Sequence, residues 1–111
     1  MPIRVLNRSG FGRTADIADA IRYAADHDAT VINLSLGGRY PSRIMRDAVA
    51  YAYNQGVTVI AAAGNSHTIA PHYPSAYPHV ISVAATQYDR NPAPYSNFGD
   101  SVDIAAPGGN T

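Results

Sequence analysis

The chain has 111 residues, enough for one domain with a core of its own. Eight arginines balance eight aspartates, and lysine, glutamate and cysteine are absent. No basic stripe offers itself to nucleic acid, no disulfide or thiolate metal site can form, and no apolar run approaches the length of a membrane span. The 46% of apolar residues fits a globular protein and argues against disorder.

Met1 is followed at once by "PIRVL", so the chain is expected to begin inside its own sheet, as a piece of something longer would. "MPIRVLNRSG" has no apolar stretch behind its charge and is not a signal peptide. Residues 3–7, "IRVLN", predict a short strand ending at the glycine loop "RSGFG". A helix is predicted from Thr14, which can cap it, with Asp16 near the positive end of its dipole. Ile17, Ala20, Ile21, Ala24 and Ala25 recur at helical spacing. "TVINLSLGG" (30–38) has the near-continuous apolar character of a parallel strand covered on both faces. Pro41 and Ser42 open a second predicted helix, with Ile44, Ala48, Val49 and Ala52 toward the sheet and Gly56 as its stop. "VTVIAAAG" (57–64) is the next strand. A polar, proline-rich loop follows, then the short strands "VISVAAT" (80–86) and "VDIAA" (102–106). The alternation of strands and helices predicts one α/β domain with a doubly wound, mostly parallel sheet flanked by helices.

Ligands of such sheets bind at the carboxyl ends of the strands. Here those ends read "NRSGFG", "LSLGG", "AAAGN" and "AAPGG", and their glycines allow another backbone to approach closely. Two readings of the first loop stay open. Gly10-Phe11-Gly12-Arg13-Thr14-Ala15 fits the dinucleotide pattern G-x-G-x-x-A, but the next strand ends in Asn33 and Ser35 rather than in a carboxylate for the ribose. Alternatively Gly10 to Gly12 form an extended edge that pairs with a peptide, flanked by "SLG". Asn65, at the mouth of a core strand, either forms a turn after Gly64 or points at a substrate.

The blocks "VINLSLGG", "GVTVIAAAGN", "YPSAYPHVISVAAT" and "YSNFGDSVDIAAPG" resemble, in order and spacing, the middle of a subtilisin-like serine peptidase, and the likeness runs through nearly the whole chain. The resemblance implies a partial subtilisin-like fold over residues 1–111 and peptide-bond hydrolysis by the parent enzyme. Asn65 matches the asparagine whose side-chain amide donates to the oxyanion of the tetrahedral intermediate. Ser35, Leu36 and Gly37 match one wall of the first specificity pocket, and Ala62 and Gly64 the opposite wall. The lack of bulk at Gly37 and Gly64 implies an open pocket fit for a large apolar side chain. Gly10 and Gly12 match the edge that lines up with the substrate backbone. Leu6, Ile17 and Leu36 match a more distant apolar subsite. The carbonyls of Pro78 and Val80 with Asp103 match a calcium or sodium site, and oxygen ligands suit such a hard cation.

The family's Asp-, His- and Ser-bearing segments do not occur, and His27, His67, His72 and His79 match none of them. His27 ends a helix, and the other three are expected to be solvated in the polar loop. The chain alone is therefore expected not to hydrolyse peptides, and to need other chains or segments to complete the domain. No cofactor is required. The partner is a peptide or protein substrate, with no nucleic acid and no membrane, and a secreted location follows from the family's habit.

Overall fold

The buried stripe of the first helix sets the layering. In the computed structural model, which describes residues 1–109, α1 runs from Thr14 to Asp26 and buries Ile17, Ala18, Ile21, Ala24 and Ala25. Thr14 is its first helical residue and not its cap. The extended residue at the boundary is Arg13, whose carbonyl accepts the Ile17 N–H at 3.1 Å while its side chain makes no cap. The helix ends at His27, whose ring stacks on Tyr23 at 3.9 Å and whose Nδ1 lies 2.8 Å from the Tyr23 carbonyl oxygen.

Strand β1 (Val31–Leu34) leads to α2 (Arg43–Asn54). The Ser42 hydroxyl caps α2 by accepting the Met45 N–H, as Ser/Thr caps do. Met45, Ala48, Val49 and Ala52 are buried, and Ile44 is 57% exposed. The i, i+3, i+4, i+7 series starts at Met45, so Ile44 lies outside the stripe assigned to it from the sequence. Gly56 stops the helix with φ +84°, and the next amide, Val57 N–H, turns back to the Ala52 carbonyl at 3.1 Å. Strands β2 (Thr58–Ala62), β3 (Val80–Thr86) and β4 (Ile104–Pro107) complete a parallel sheet in the order β1-β2-β3-β4.

The registers Ile32↔Val59↔Val80 and Leu34↔Ala61↔Ser82 put one row of small and branched residues under both helices. The α/β parallel sheet is thus as the sequence predicts. The opposite face is not covered among the described residues: Val31 is 54%, Ile81 40% and Ile104 57% exposed. The continuous apolar character of β1 and β2 therefore reflects two apolar faces, of which one is packed.

Residues 3–7 do not form a strand. Val5 and Leu6 pack on the core, but the segment stands off β1 and leaves a cavity of about 460 Å³ lined by Ile3, Val5, Ile21 and Val31–Leu34. Its polar groups turn inward on the loop instead: Asn7 Oδ1 accepts the N–H of Ser9 and of Phe11, and Asn7 N–H donates to the Phe11 carbonyl at 2.8 Å. With no strand running into Gly10, and no acid at the end of β1, the dinucleotide reading loses its structural context.

Burial separates two isoleucines cleanly. Ile21, 1% exposed, anchors α1 in the core. Ile21→Ala is expected to cost about 2–5 kcal/mol, and Ile44→Ala about 0.5 kcal/mol or less, read as the shift of the urea midpoint.

Candidate active site

Parallel pairing brings the exits of β1 and β2 level, because Leu34 sits beside Ala61. Ser35, Leu36 and Gly37 continue from one strand, and Ala62, Gly64 and Asn65 from the other. Across from them lies the loop of Gly10, Phe11 and Gly12. Together these residues line one cleft of about 500 Å³, with Leu6 and Ile17 at its apolar end. The structure thus gathers into one place Asn65 and all seven residues assigned to substrate from the sequence.

Asn65 is exposed, and its side chain makes no hydrogen bond within the described residues. The backbone around it is fixed by a residue that the sequence reading passed over. Asn97, 4% exposed, donates its side-chain N–H to the Ala63 carbonyl at 2.8 Å. Its Oδ1 accepts the Ser66 N–H at 2.8 Å and the Thr68 N–H at 3.4 Å. Its backbone N–H donates to the Gly64 carbonyl at 2.9 Å. A single buried amide side chain therefore holds the turn on both sides of Asn65. Asn97 lies in "YSNFGD", where nothing distinguishes a buried asparagine from a solvated loop residue.

The glycine walls do not open onto empty space. A Cβ at Gly37 would lie 2.2 Å from the Tyr73 carbonyl oxygen and 2.3 Å from His72 Cε1; one at Gly64 would lie 2.4 Å from Asn97 Nδ2 and 2.7 Å from His72 Cδ2. The His72 ring thus fills the gap between the two walls, so the expectation of an open pocket is corrected. The antiparallel pairing of Gly38 with Tyr73, two hydrogen bonds of 2.8 Å, brings the ring there. A Cβ at Gly12 would likewise strike the Val5 carbonyl oxygen, so that glycine serves close packing of the loop.

The expectation of solvated histidines in the polar loop also fails at His72. It is half-buried, and its Nδ1 is sealed from solvent without a partner in the described residues. Burial pushes the imidazole below the usual histidine range, and the Ala62 carbonyl pulls it partly back up. His67 is tilted against Phe98, and His79 stacks on Tyr53 at 3.9 Å. Asp103 closes the start of β4: its Oδ2 accepts the Ser82 N–H at 2.8 Å, and its N–H donates to the Ser82 carbonyl at 3.0 Å. No cluster of three or more His, Cys, Asp or Glu side chains exists among the described residues.

A level pair of parallel strand ends, walled by glycines and bearing an unpaired carboxamide, is the arrangement of a subtilisin-like hydrolase fold. The chain belongs to the subtilase family, whose model matches residues 1–111. It is 46% identical over 108 residues to thermitase of Thermoactinomyces vulgaris, and 52% identical over 107 residues to halolysin of Haloferax mediterranei. These matches cover 97% and 96% of this chain but 39% and 21% of those proteins. Among solved structures, a protease of Pseudoalteromonas arctica superposes on the whole chain with a TM-score of 0.94 at 36% identity, over 36% of its own length. Sphericase matches 94% of the chain with a TM-score of 0.85 at 38% identity, over 41% of its own length. The chain thus spans about two-fifths or less of these relatives.

Two outcomes test the site's construction. Asn97→Ala leaves the buried Ala63 carbonyl and the part-buried Ser66 and Thr68 amides without their partner and is expected to cost about 2 kcal/mol by urea denaturation. Because His72 is depressed in the fold, its neutral form is favoured there. Stability from this group is full above the ordinary value of 6.5 and is lost as pH falls from there through the depressed value. His72→Gln is expected to flatten that limb in melts taken across the acid range.

Proposed function

We propose that the chain forms the substrate-binding and oxyanion-stabilising part of a subtilisin-like serine endopeptidase. The observation that carries this reading is the position of Asn65: its free amide lines the same cleft as the Ser35–Gly37 edge. Negative charge develops on a scissile carbonyl oxygen only as a nucleophile adds. A donor preset at that point stabilises the transition state more than the substrate, and this raises the rate of the chemical step. Ser35–Gly37 offers a backbone edge on one side of the cleft, to which a peptide would pair as an added strand. The extended edge expected at Gly10–Gly12 is corrected: Gly10 turns with φ +84°, its N–H donates to the Asn7 carbonyl, and the Phe11 N–H and carbonyl are both taken by Asn7, so this loop lines the cleft without a free strand edge.

Asn65 also lines a second cavity of about 370 Å³, shared with Val83, Ala106, Pro107 and Gly108 at the end of β4. The family carries its nucleophile shortly past the "APGG" block, so a serine-bearing segment there would arrive beside Asn65. That residues 1–111 do not hydrolyse peptides alone is part of this reading, because the resemblance places no Asp-, His- or Ser-bearing segment of the family on these residues. A calcium or sodium ion on the Pro78 and Val80 carbonyls with Asp103 belongs to the same reading. That set is all oxygen, as a hard cation requires, although Asp103 Oδ2 already accepts the Ser82 amide. A secreted parent enzyme belongs to the same reading. No helix of the described residues is long and apolar enough to cross a membrane.

The test replaces the matching segment of thermitase with residues 1–111. The chimaera is expected to hydrolyse a peptide anilide, and the isolated chain to show no rate above background. In the chimaera, Asn65→Ala is expected to lower kcat about 10²–10³-fold with little change in KM, a magnitude taken from the equivalent donor in subtilisin itself. An unchanged kcat would remove Asn65 from the chemistry.

A further inference from the structure

The turn at Asn65 carries a second chemistry, which needs no substrate. An asparagine loses its carboxamide when the backbone nitrogen of the next residue attacks the side-chain carbon. The sequence has seven asparagines, and six of them precede a larger residue or proline. Arg8, Leu34, Gln55 and Phe98 are bulky, Thr111 is β-branched, and Pro92 has no N–H to give up. Asn65 alone precedes a small residue, Ser66. It is exposed, lies in neither helix nor strand, and its side chain makes no hydrogen bond within the described residues. Other exposed asparagines are held. Asn7 Oδ1 accepts two amides, Asn91 Nδ2 donates to Asp89 at 3.1 Å, and the amide after Asn54 is bonded to the Tyr51 and Ala52 carbonyls.

What stands against the reaction is Asn97. Its Oδ1 accepts the Ser66 N–H at 2.8 Å, and its own N–H donates to the Gly64 carbonyl at 2.9 Å. The two bonds pin the backbone on either side of Asn65. Ring closure needs the Ser66 nitrogen to lose its proton and swing toward Asn65 Cγ. A nitrogen whose proton is held by a carboxamide oxygen does neither until that bond opens. We propose that Asn65 is the deamidation site of this chain, and that Asn97 guards it by holding the Ser66 N–H. When the turn opens, the Ser66 nitrogen gives its proton to hydroxide and bonds to Asn65 Cγ. The Cγ–Nδ2 bond breaks, and that nitrogen takes a proton from water and leaves as ammonia. Water then opens the five-membered imide. Breaking its bond at Cγ leaves aspartate, and breaking its bond at the main-chain carbonyl leaves isoaspartate. Either product puts a carboxylate, which accepts and does not donate, where the cleft now has an amide. The reaction proceeds whether or not the cleft binds a peptide.

The experiment incubates the 111-residue chain in mildly alkaline buffer and follows each asparagine by peptide mass spectrometry. In urea, Asn65 is expected to convert faster than any other asparagine. In the folded chain it is expected to convert at least about tenfold more slowly than in urea, with the Ser66 amide protected from hydrogen exchange. Asn97→Ala is expected to raise the folded-state rate at Asn65 about tenfold, the change in open population that follows loss of one ordinary hydrogen bond, and to leave Asn7 and Asn54 unmoved. Asn97→Asp keeps an oxygen for the Ser66 N–H but loses the donor to Ala63, so its urea midpoint should fall while Asn65 stays near the unsubstituted rate. An Asn65 rate unchanged in folded Asn97→Ala, an acceleration shared equally by Asn7 and Asn54, or an Asn97→Asp as fast as Asn97→Ala overturns the assignment. Should neither variant fold, the unsubstituted chain decides: equal Asn65 rates with and without urea, or a Ser66 amide that exchanges freely in the fold, overturns it.

Discussion

The cleft depends on one buried carboxamide. Strand exits are ordinarily loose, since a chain leaving a sheet loses its ladder partners. Here the Asn97 side chain replaces those partners by donating to the Ala63 carbonyl and accepting from the Ser66 and Thr68 amides. Its backbone N–H adds a bond to Gly64. Because the bond to Ala63 is buried and those to Ser66 and Thr68 are part-buried, losing the Asn97 side chain strands the Ala63 carbonyl out of water and loosens both amides with it. The Ser96 hydroxyl extends the clamp, accepting the Ala85 N–H of β3 at 2.9 Å and donating to the Asn97 carbonyl. The position of Asn65 is thus tied through two side chains to the middle of the sheet.

Much of the architecture is legible in the sequence because period and punctuation agree there. Residues 80–86 form an apolar run bounded by polar loops, and the strand has the bounds its sequence suggests. Helix α2 carries its cap at Ser42 and its stop at Gly56, both residue types with a local physical reason to end a helix. Where the reading departs from the structure, a tertiary fact decides. "IRVLN" has the composition of a strand, but a strand requires a ladder, and no partner edge meets it. Ile44 and Met45 are adjacent apolar residues, and only the direction of the sheet chooses between them.

The site is legible in a different way. The positions gathered round the cleft follow from a succession of blocks resembling a known family, together with the rule that parallel strands present their carboxyl ends to ligands. What the blocks do not reveal is what fills the space beside their glycines. A glycine in "SLGG" or "AAGN" reads as room for a ligand. At Gly37 and Gly64 that room is already occupied by the chain's own His72, a residue 35 positions beyond the one and 8 beyond the other. Long-range occupancy of this kind has no local signature, and the same holds for the burial of Asn97.

The uncovered side of the sheet has a thermodynamic meaning. Val31, Ile81 and Ile104 already meet water in the folded chain, so unfolding hydrates less new apolar surface than 111 residues normally would. Both the heat-capacity increment and the denaturant slope scale with that newly wetted area. The increment should therefore fall below the roughly 1.2–1.5 kcal/mol/K typical of about a hundred residues. A shallow, broad melting curve would then be a property of this surface and not a sign of heterogeneous folding.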